Sequence, residues 1–275
     1  MAYNITSLVT TEKENALYEK KMSICLRTNG LSFSVRSRKN VLLMAGEVAM
    51  NFNENFSQLS AEIKQLFDDL RVSPFDFYAV ELIVPSEQVV WVPESLYEED
   101  KERQYLSTLT TLKMGQGIYR DYHPLVKAYA VYAADTTIMT AFKVALPKVF
   151  IMCQHTAMVS ESLIERSSSH PVVLLHVREG RADVVAFSTE GFLLGNTYDA
   201  ADNNQLLYIA LNVMKRLNLE MPDMELLICG QVDRSLYALL QPYFPSVGLY
   251  NGSPVTYLNP DFQTYPTYRN PLILQ

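Results

Sequence analysis

The chain has 275 residues, 48% of them hydrophobic and 19% charged, with a formal net charge of -7. This composition is typical of a folded globular protein with a substantial core, and the length suits one large domain or two small ones. The acidic balance argues against nucleic acid as the main partner, because binding to phosphates requires a basic surface. A membrane span is not expected either, since no uninterrupted apolar stretch reaches the roughly 18 residues that a spanning helix needs.

The amino-terminal stretch and the cysteines bear on cellular location. Residues 1–20 lack the apolar core of a signal peptide, so we expect a polar lead-in with one apolar anchor, Leu17, and a cytoplasmic protein. Cys25, Cys153 and Cys229 each lie in an apolar, strand-like run. An odd number of buried cysteines predicts reduced thiols rather than a disulfide framework.

The ordered fold is predicted to begin with three strands, at residues 22–27, 31–35 and 41–45. A turn that ends in glycine, at residues 28–30, separates the first strand from the second. The basic stretch 36–39 separates the second strand from the third, and we interpret it as a solvated hairpin tip.

A helix and a buried strand complete this first unit. Apolar residues recur at helical spacing from Phe56 to Leu70, with Ser57 as a candidate N-cap. Residues 77–84 form a continuous apolar run that Pro85 closes, which is typical of a buried strand. The order is therefore strand, strand, strand, helix, strand.

The middle of the chain predicts further α/β units. In chain order we expect a strand at 88–92, an acidic helix at 98–108, a loop or hairpin tip at 113–123, a strand at 126–133, a helix capped by Asp135, a strand at 149–153 and a helix at 157–166. Three consecutive serines follow at 167–169, and we place the boundary between two halves of the chain there.

The stretch from residue 171 to residue 231 repeats the first order of elements. Turns at residues 179–180 and 190–191 separate three apolar strands. A helix capped by Asp202 runs to about Leu217 and is apolar over most of its surface, so we expect it to be largely buried. A short apolar strand at 226–229 follows, and Asp233 is placed to cap one more helix.

Two offsets indicate an internal duplication. Gly30 corresponds to Gly180 at a distance of 150 residues, and Leu82 corresponds to Leu227 at 145 residues. We therefore divide the chain into a lead-in (1–20), a first half (21–169), a second half (170–250) and a Pro- and Tyr-rich tail (251–275). The tail is expected to lack regular structure and to lie against the body through its aromatic rings.

Three segments carry a resemblance to known proteins: MSICLRTNGLSFSVRSRKNVLLMAGEV near the start, VPESLYEEDKERQYLS in the middle, and PVVLLHVREGRADVVAFSTEGFLLGNTY with LLICGQV later. On these segments, residues from about 20 to 250 resemble a family of uncharacterised Bacteroidetes proteins assigned the actin-like ATPase (ribonuclease H-like) fold of sugar kinases, Hsp70 and actin. The resemblance implies an α/β protein with two topologically duplicated halves and a cleft between them. It says little about activity, because one fold hosts many functions.

In active members of that superfamily, the first hairpin of each half binds phosphate. An Asp at the end of the first strand holds Mg²⁺, and a glycine in the turn lets backbone N–H groups approach the phosphates. The resemblance places the first hairpin of this chain at Arg27, Thr28, Asn29 and Gly30. The glycine is present, but Arg27 lies closest to the position of the acid.

The second hairpin departs from the pattern in the same way. Arg178, Glu179 and Gly180 keep the glycine, and Glu179 is the nearby acid, but no Asp ends the strand. The adenosine motif of the superfamily, usually paired small residues after the last buried strand, corresponds to Gly230 and Gln231. The bulky Gln231 replaces the second small residue.

These departures predict that magnesium-binding chemistry is lost, so we expect no catalytic residue, no metal and no cofactor. Binding of ATP with Mg²⁺ is the alternative that we do not favour. Arg27 or Arg178 could face a phosphate, but we expect both to be solvent-exposed arginines at strand ends. Cys153 and His155 lack the further ligands of a zinc site, so we read them as a buried strand cysteine and a loop histidine.

The leading hypothesis is a protein of unknown function that acts as a non-catalytic cytoplasmic interaction or scaffold protein, with an unknown protein partner. It would use a degenerate actin-like ATPase fold in the way that docking domains of pilus-assembly and secretion systems do. The alternative is a nucleotide-binding ATPase or kinase whose relocated acids, Glu47 and Glu179, face one cleft. A third hypothesis is that the tail docks a partner or a second copy, and the sequence leaves the oligomeric state open.

Overall fold

The computed structural model describes residues 3–10, 19–53, 55–73, 77–109, 111–219, 223–257 and 260–274. The strands are β1 Tyr3–Thr10, β2 Lys20–Arg27, β3 Gly30–Ser37, β4 Val41–Met50, β5 Phe77–Val84, β6 Val89–Pro93, β7 Gln116–His123, β8 Ala128–Asp135, β9 Val149–Cys153, β10 Val172–Arg178, β11 Arg181–Ser188, β12 Gly191–Asp199, β13 Glu225–Gly230, β14 Ser246–Leu249 and β15 Thr256–Tyr257. The helices are α1 Phe56–Asp69, α2 Glu102–Ser107, α3 Thr136–Ala145, α4 Gln154–Met158, α5 Glu161–Ser167, α6 Asn203–Arg216 and α7 Arg234–Leu240.

Two large sheets share one topology. The first has the order β1-β4-β3-β2-β5-β9, with β15 beside β4, and the second has the order β12-β11-β10-β13-β14. Three antiparallel strands, a helix and two parallel strands follow each other in both, so β4-β3-β2-β5-β9 corresponds to β12-β11-β10-β13-β14. The predicted duplication of the α/β halves is therefore confirmed.

The first hairpin of each half turns where the glycines predict it. Thr28 and Asn29 form the turn between β2 and β3, and Arg27 pairs with Gly30 across it. Gly30 has φ +148°, and a side chain there would overlap the Val48 carbonyl. Glycine is therefore required at this position by both conformation and space.

The basic stretch 36–39 departs from its interpretation as a solvated tip. Only residues 38 and 39 form the turn. Arg36 belongs to β3, is 4% exposed and donates to the Asn40 side chain at 2.9 Å. Burial lowers the pKa of this guanidinium.

A third sheet, β6-β8-β7, lies between β5 and β9 in the chain and forms an insert with α2. Trp91 on β6 joins the insert to the second half, with its ring 4.6 Å from that of Phe192. Gly195 makes room for the indole, because a side chain at that position would overlap Trp91 Nε1.

Four apolar clusters make up the core of the described residues, and the smallest packs β6 and β8 of the insert against α2. Of the others, one lies between the first sheet and helices α1 and α3, and another lies between the second sheet and helices α6 and α7. The third fills the space between the halves and contains side chains from β2, β4, β5, α4, α5, β10, β11 and β13. The halves are thus joined by a shared core rather than by a linker.

Helix starts follow the predicted caps where the cap is Asp. The carboxylates of Asp135, Asp202 and Asp233 accept from the backbone N–H three residues on, as expected. For α1 the cap is Asn55, not Ser57. Helix α6 is buried on one face rather than largely buried, since Tyr208 is 67% exposed.

Three further predictions about local structure are wrong. Residues 3–10 are not part of a polar lead-in but form β1, an edge strand antiparallel to β4. Residues 116–123 form β7 instead of a loop, held to β9 by Asp121, whose carboxylate accepts from Cys153 N at 2.5 Å. The helix expected at 157–166 is two helices, because Ser160 caps a new start at α5. Leu17 lies outside the described residues.

The carboxy-terminal segment has more structure than expected. It contains β15 and three short 3-10 turns, at Pro260–Thr264, Thr267–Arg269 and Pro271–Leu274. As predicted, aromatic rings lie against the body: Phe262 is fully buried and stacks on Tyr257 with ring centroids 6.2 Å apart. Across the described ranges, none of the helices combines the length and apolarity needed to cross a membrane.

Candidate functional site

A cleft of about 510 Å³ lies between the two halves, at the ends of β2 and β10. Seven of the nine residues that the resemblance singles out line it: Arg27, Thr28, Asn29, Arg178, Glu179, Gly230 and Gln231. Gly30 and Gly180 shape the turns but do not face the cleft. The topology thus brings the two predicted hairpins and the end of β13 together in one place.

In the first hairpin, Arg27 pairs with an acid of its own half. Its guanidinium lies 2.7 Å from Glu47 on β4, and the two side chains are 39% and 27% exposed. Glu47 also accepts from the Asn270 side chain at 2.7 Å. Burial alone would raise the pKa of Glu47, but the hydrogen bonds from Arg27 and Asn270 lower it overall.

In the second hairpin, Arg178 is not the exposed arginine that we expected. Its side chain is 16% exposed and binds the carboxylate of Asp183 on β11 through two nitrogens, at 2.5 and 2.8 Å. Asp183 is fully buried. Burial opposes the charge of Asp183, yet the hydrogen bonds from Arg178 and His176 hold the pKa of this carboxyl well below its usual range.

Asp183 is the centre of a buried polar network that joins the halves. Thr197 donates to it at 2.7 Å, His176 Nδ1 lies 3.3 Å away, and the Gln154 amide also donates to it. Gln154 belongs to α4, next to the first sheet, whereas Thr197 belongs to the second. The network therefore spans the junction of the halves.

His155 completes this network and is not a loop histidine. It lies in α4, is fully buried, and its Nε2 is 3.3 Å from the Thr197 hydroxyl and 3.9 Å from Asp183. Burial lowers its pKa. Sequence reasoning missed Asp183 and the role of His155. One signal for Asp183 was present, because it is a lone charge inside the apolar run of β11.

Gly230 and Gln231 have structural reasons for their identities. Gly230 has φ +87°, and a side chain there would overlap the Val177 carbonyl. Gln231 is exposed at the mouth of the cleft, and its backbone N–H donates to Val177 at 2.8 Å. These contacts close the β10–β13 pair whether or not a ligand enters the cleft.

The acids of the cleft are not grouped as metal ligands. Glu47, Glu179 and Asp233 line the cleft. Glu47 is engaged by Arg27, Asp233 caps α7, and Glu179 is exposed. Among the residues that the structure describes, there is no cluster of three or more His, Cys, Asp or Glu side chains that could hold a metal ion.

The three cysteines are free and buried, as predicted. Cys25 lines the cleft, and burial raises the pKa of its thiol to about 12. Cys153 Sγ lies 3.7 Å from His155 Nδ1, but both side chains are fully buried, and burial also raises the pKa of this thiol. A thiol that stays protonated is a poor nucleophile, so neither residue resembles a catalytic cysteine.

The duplicated sheets with a cleft between them define the actin-like ATPase class of folds, and solved structures bear this out. A Bacteroides thetaiotaomicron protein with an actin-like ATPase fold and unknown function matches with a TM-score of 0.72 and 20% identity, over 90% of this chain and 95% of that one. The PilM–PilN type IV pilus biogenesis complex matches with a TM-score of 0.62 and 10% identity, over 92% and 96% of the two chains.

The sequence also matches the model of a protein family. Residues 10–247 match the family described as a protein of unknown function (DUF3822), and the chain belongs to this family. No curated protein matches the sequence.

Proposed function

We propose that this chain is a non-catalytic interaction or scaffold protein on a degenerate actin-like ATPase fold. The observation that carries the proposal is the use of arginine in both hairpins. Arg27 and Arg178 stand at the strand ends where the active superfamily has an acid, and each binds a carboxylate of its own half.

This arrangement disfavours the binding of a magnesium nucleotide. Mg²⁺ requires oxygen ligands that are free to coordinate it. Glu47 already carries an ion pair and a hydrogen bond, and buried Asp183 is bound by the two nitrogens of Arg178. A cation that coordinated Glu47 would have to displace Arg27 and would then face its positive charge. The other acids that line the cleft, Glu179 and Asp233, do not form a group of metal ligands with Glu47 among the described residues.

Two further observations support a role in protein interaction. One solved structure of this fold is a complex of two pilus biogenesis proteins, PilM and PilN, so the fold can serve in partner assembly. The three free, buried cysteines fit a reducing compartment such as the cytoplasm. The partner that we propose is a protein, and its identity is open.

The alternative function is a nucleotide-binding ATPase or kinase with relocated acids. One observation keeps this alternative: Glu47 and Glu179 line the same cleft, as it requires. For catalysis, Arg27 would have to release Glu47 when the nucleotide binds. The two hypotheses therefore differ in whether the Arg27–Glu47 pair opens for magnesium.

Calorimetric titration of the full chain with ATP and with ADP, each with Mg²⁺, tests the proposal. We expect no binding heat at nucleotide concentrations of about 1 mM, a level at which even weak specific sites are detected. Magnesium-dependent binding that Glu47→Gln abolishes would overturn the proposal in favour of the enzyme. Glu190→Gln is the matched control, because Glu190 lies in the other turn of the second half and does not line the cleft.

A further inference from the structure

The carboxy-terminal segment fills a place in the core between the halves. Leu272, Ile273 and Leu274 are 0–2% exposed and belong to the apolar cluster that joins the two halves. They pack against β2, β3 and α4. We call the surface formed by these three elements the tail groove.

The tail groove combines apolar side chains with hydrogen-bonding hydroxyls. Cys25 on β2 contributes to the apolar cluster, whereas Ser32 and Ser34 on β3 are buried polar residues. The Ser34 hydroxyl donates to the backbone carbonyl of Ile273. A groove of this kind recognises both the side chains and the backbone of a peptide.

The rest of the segment is also held to the body, and its Phe262 is fully buried in the same apolar cluster. Its β15 pairs with β4 over two residues, and Asn270 donates to Glu47. Its 3-10 turns close on their own backbone, with Arg269 N donating to Pro266 and Asn270 N donating to Thr267. The segment therefore attaches chiefly through buried side chains, as a bound peptide does.

We propose that the tail groove is a peptide-binding site that residues 271–274 occupy as an internal ligand, and that an apolar peptide of a partner protein displaces them. The partner peptide would present three consecutive large apolar side chains. One of its backbone carbonyls would accept a hydrogen bond from the Ser34 hydroxyl. This proposal rests on the function proposed above and names the kind of partner. Displacement would also remove Asn270 from Glu47 and open one wall of the cleft.

The groove needs an occupant of this chemistry because its lining belongs to the apolar core. Water entering the space left by Leu272–Leu274 would contact apolar side chains from both halves, which is unfavourable. Exchange with a peptide of matching side chains keeps that surface covered. The affinity measured for a partner is then reduced by the fraction of molecules in which the internal ligand is seated.

The test uses a fluorescein-labelled synthetic peptide of residues 260–275 and fluorescence anisotropy. The full chain with Ile273→Asp cannot seat its own segment, because a charge would enter the core. We expect it to bind the labelled peptide about ten-fold or more tighter than the wild-type chain does. Leu249→Asp is the matched control, since Leu249 is 43% exposed and lies outside the segment, and it should bind like wild type.

Three outcomes of the anisotropy measurement overturn the proposal. They are equal binding to wild type and Ile273→Asp, no binding to a folded Ile273→Asp chain, and equal binding by a peptide that itself carries Ile273→Asp. A concentration-dependent dimer of the wild type that Ile273→Asp abolishes would assign the groove to a second copy instead.

Hydrogen exchange of the wild-type chain keeps the proposal testable if the variant does not fold. We expect the amide of Thr256, which donates to Asn40 of the body, to exchange about ten-fold or more faster than the amides of β13, through local release of the segment. Equal protection would show that the segment leaves only on global unfolding, which would overturn the proposal. Nucleotide binding is measured separately on the wild type, so failure of the groove and failure of the proposed function are distinguishable.

Discussion

The two hairpins that face the cleft place an arginine at the same strand end but surround it differently. Arg27 reaches past β3 to Glu47, and both side chains keep contact with water, at 39% and 27% exposure. Arg178 binds Asp183 on the adjacent strand, and that carboxylate has no exposure at all. The duplicated topology thus sets the position of each arginine, whereas burial sets how far its acid partner is shielded from water.

The physical consequence is a difference in what each pair contributes to stability. An ion pair in contact with water contributes little, because solvent screens the charges. A buried pair contributes little in net terms either, yet removing one partner leaves an uncompensated charge in the core. The second half should therefore be far more sensitive to loss of its acid than the first half.

The largest expected effect is that of Asp183→Ala. It leaves the largely buried Arg178 guanidinium without its carboxylate, and it removes one acceptor each from Thr197 and Gln154. We expect the free energy of unfolding to fall by about 3–5 kcal/mol, measured by urea denaturation followed by circular dichroism. Glu47→Ala, the matched change in the first half, should cost only about 0.2–1 kcal/mol.

A double variant sharpens this result. Replacing the pair by Arg178→Met with Asp183→Leu removes both charges, so most of the loss should be recovered. If Asp183→Ala and Glu47→Ala cost the same, or if the double variant is as unstable as Asp183→Ala, burial is not what separates the two pairs.

The turn glycines give the second comparison, with a smaller expected effect. A side chain at Gly30 would overlap the Val48 carbonyl, whereas nothing lies within 4 Å of the corresponding position at Gly180. Gly30→Ala should cost about 3 kcal/mol, from steric overlap and backbone strain together. Gly180→Ala, with φ +67°, should cost roughly 1–2 kcal/mol from strain alone. Equal shifts of the denaturation midpoint would contradict this assignment.

Lowering the pH should destabilise the folded chain through both the Arg27–Glu47 pair and the Arg178–Asp183 pair. Burial opposes the charge of both Glu47 and Asp183, and their hydrogen bonds lower the pKa of each overall. A lowered folded-state pKa gives stability that is present above the unfolded pKa and is lost as the pH falls through the folded pKa. For Asp183 the loss between pH 7 and pH 3 should be about 1 kcal/mol.

This dependence is measured from urea midpoints between about pH 7 and pH 3, where unfolded carboxyls take up protons. In the wild type, the loss of stability that Asp183 contributes should continue down to the lowest pH measured. In Asp183→Asn this contribution to the slope of stability against pH should be absent. Glu47→Gln should flatten the curve in the same direction. Parallel curves for the wild type and Asp183→Asn would show that Asp183 binds a proton as readily in the folded chain as in the unfolded one.

Features that local sequence decides could be predicted. The hairpin turn before Gly30 and the helix capped by Asp202 depend on neighbours within a few residues, and both were predicted. The duplicated topology also followed, because two similar offsets relate equivalent elements. The resemblance placed both hairpins and Gly230 at one cleft, which the structure also does.

Features that depend on distant partners could not be predicted. β1 alternates weakly because it is an edge strand, and its identity comes from pairing with β4. The role of Asp183 depends on cross-strand register, which places it opposite His176 on β10. The burial of Leu272–Leu274 depends on a groove whose elements come from the start and the middle of the chain.

Trp91 gives the molecule a built-in optical reporter, because it is the single tryptophan of the chain. Its indole lies at the junction of the insert with the second half, against Phe192 and over Gly195. Intrinsic emission therefore reports on one defined contact rather than on an average over the fold. If the insert and the halves unfold as one unit, emission and circular dichroism will change together with denaturant; an earlier change in emission would identify the insert as a part that separates first.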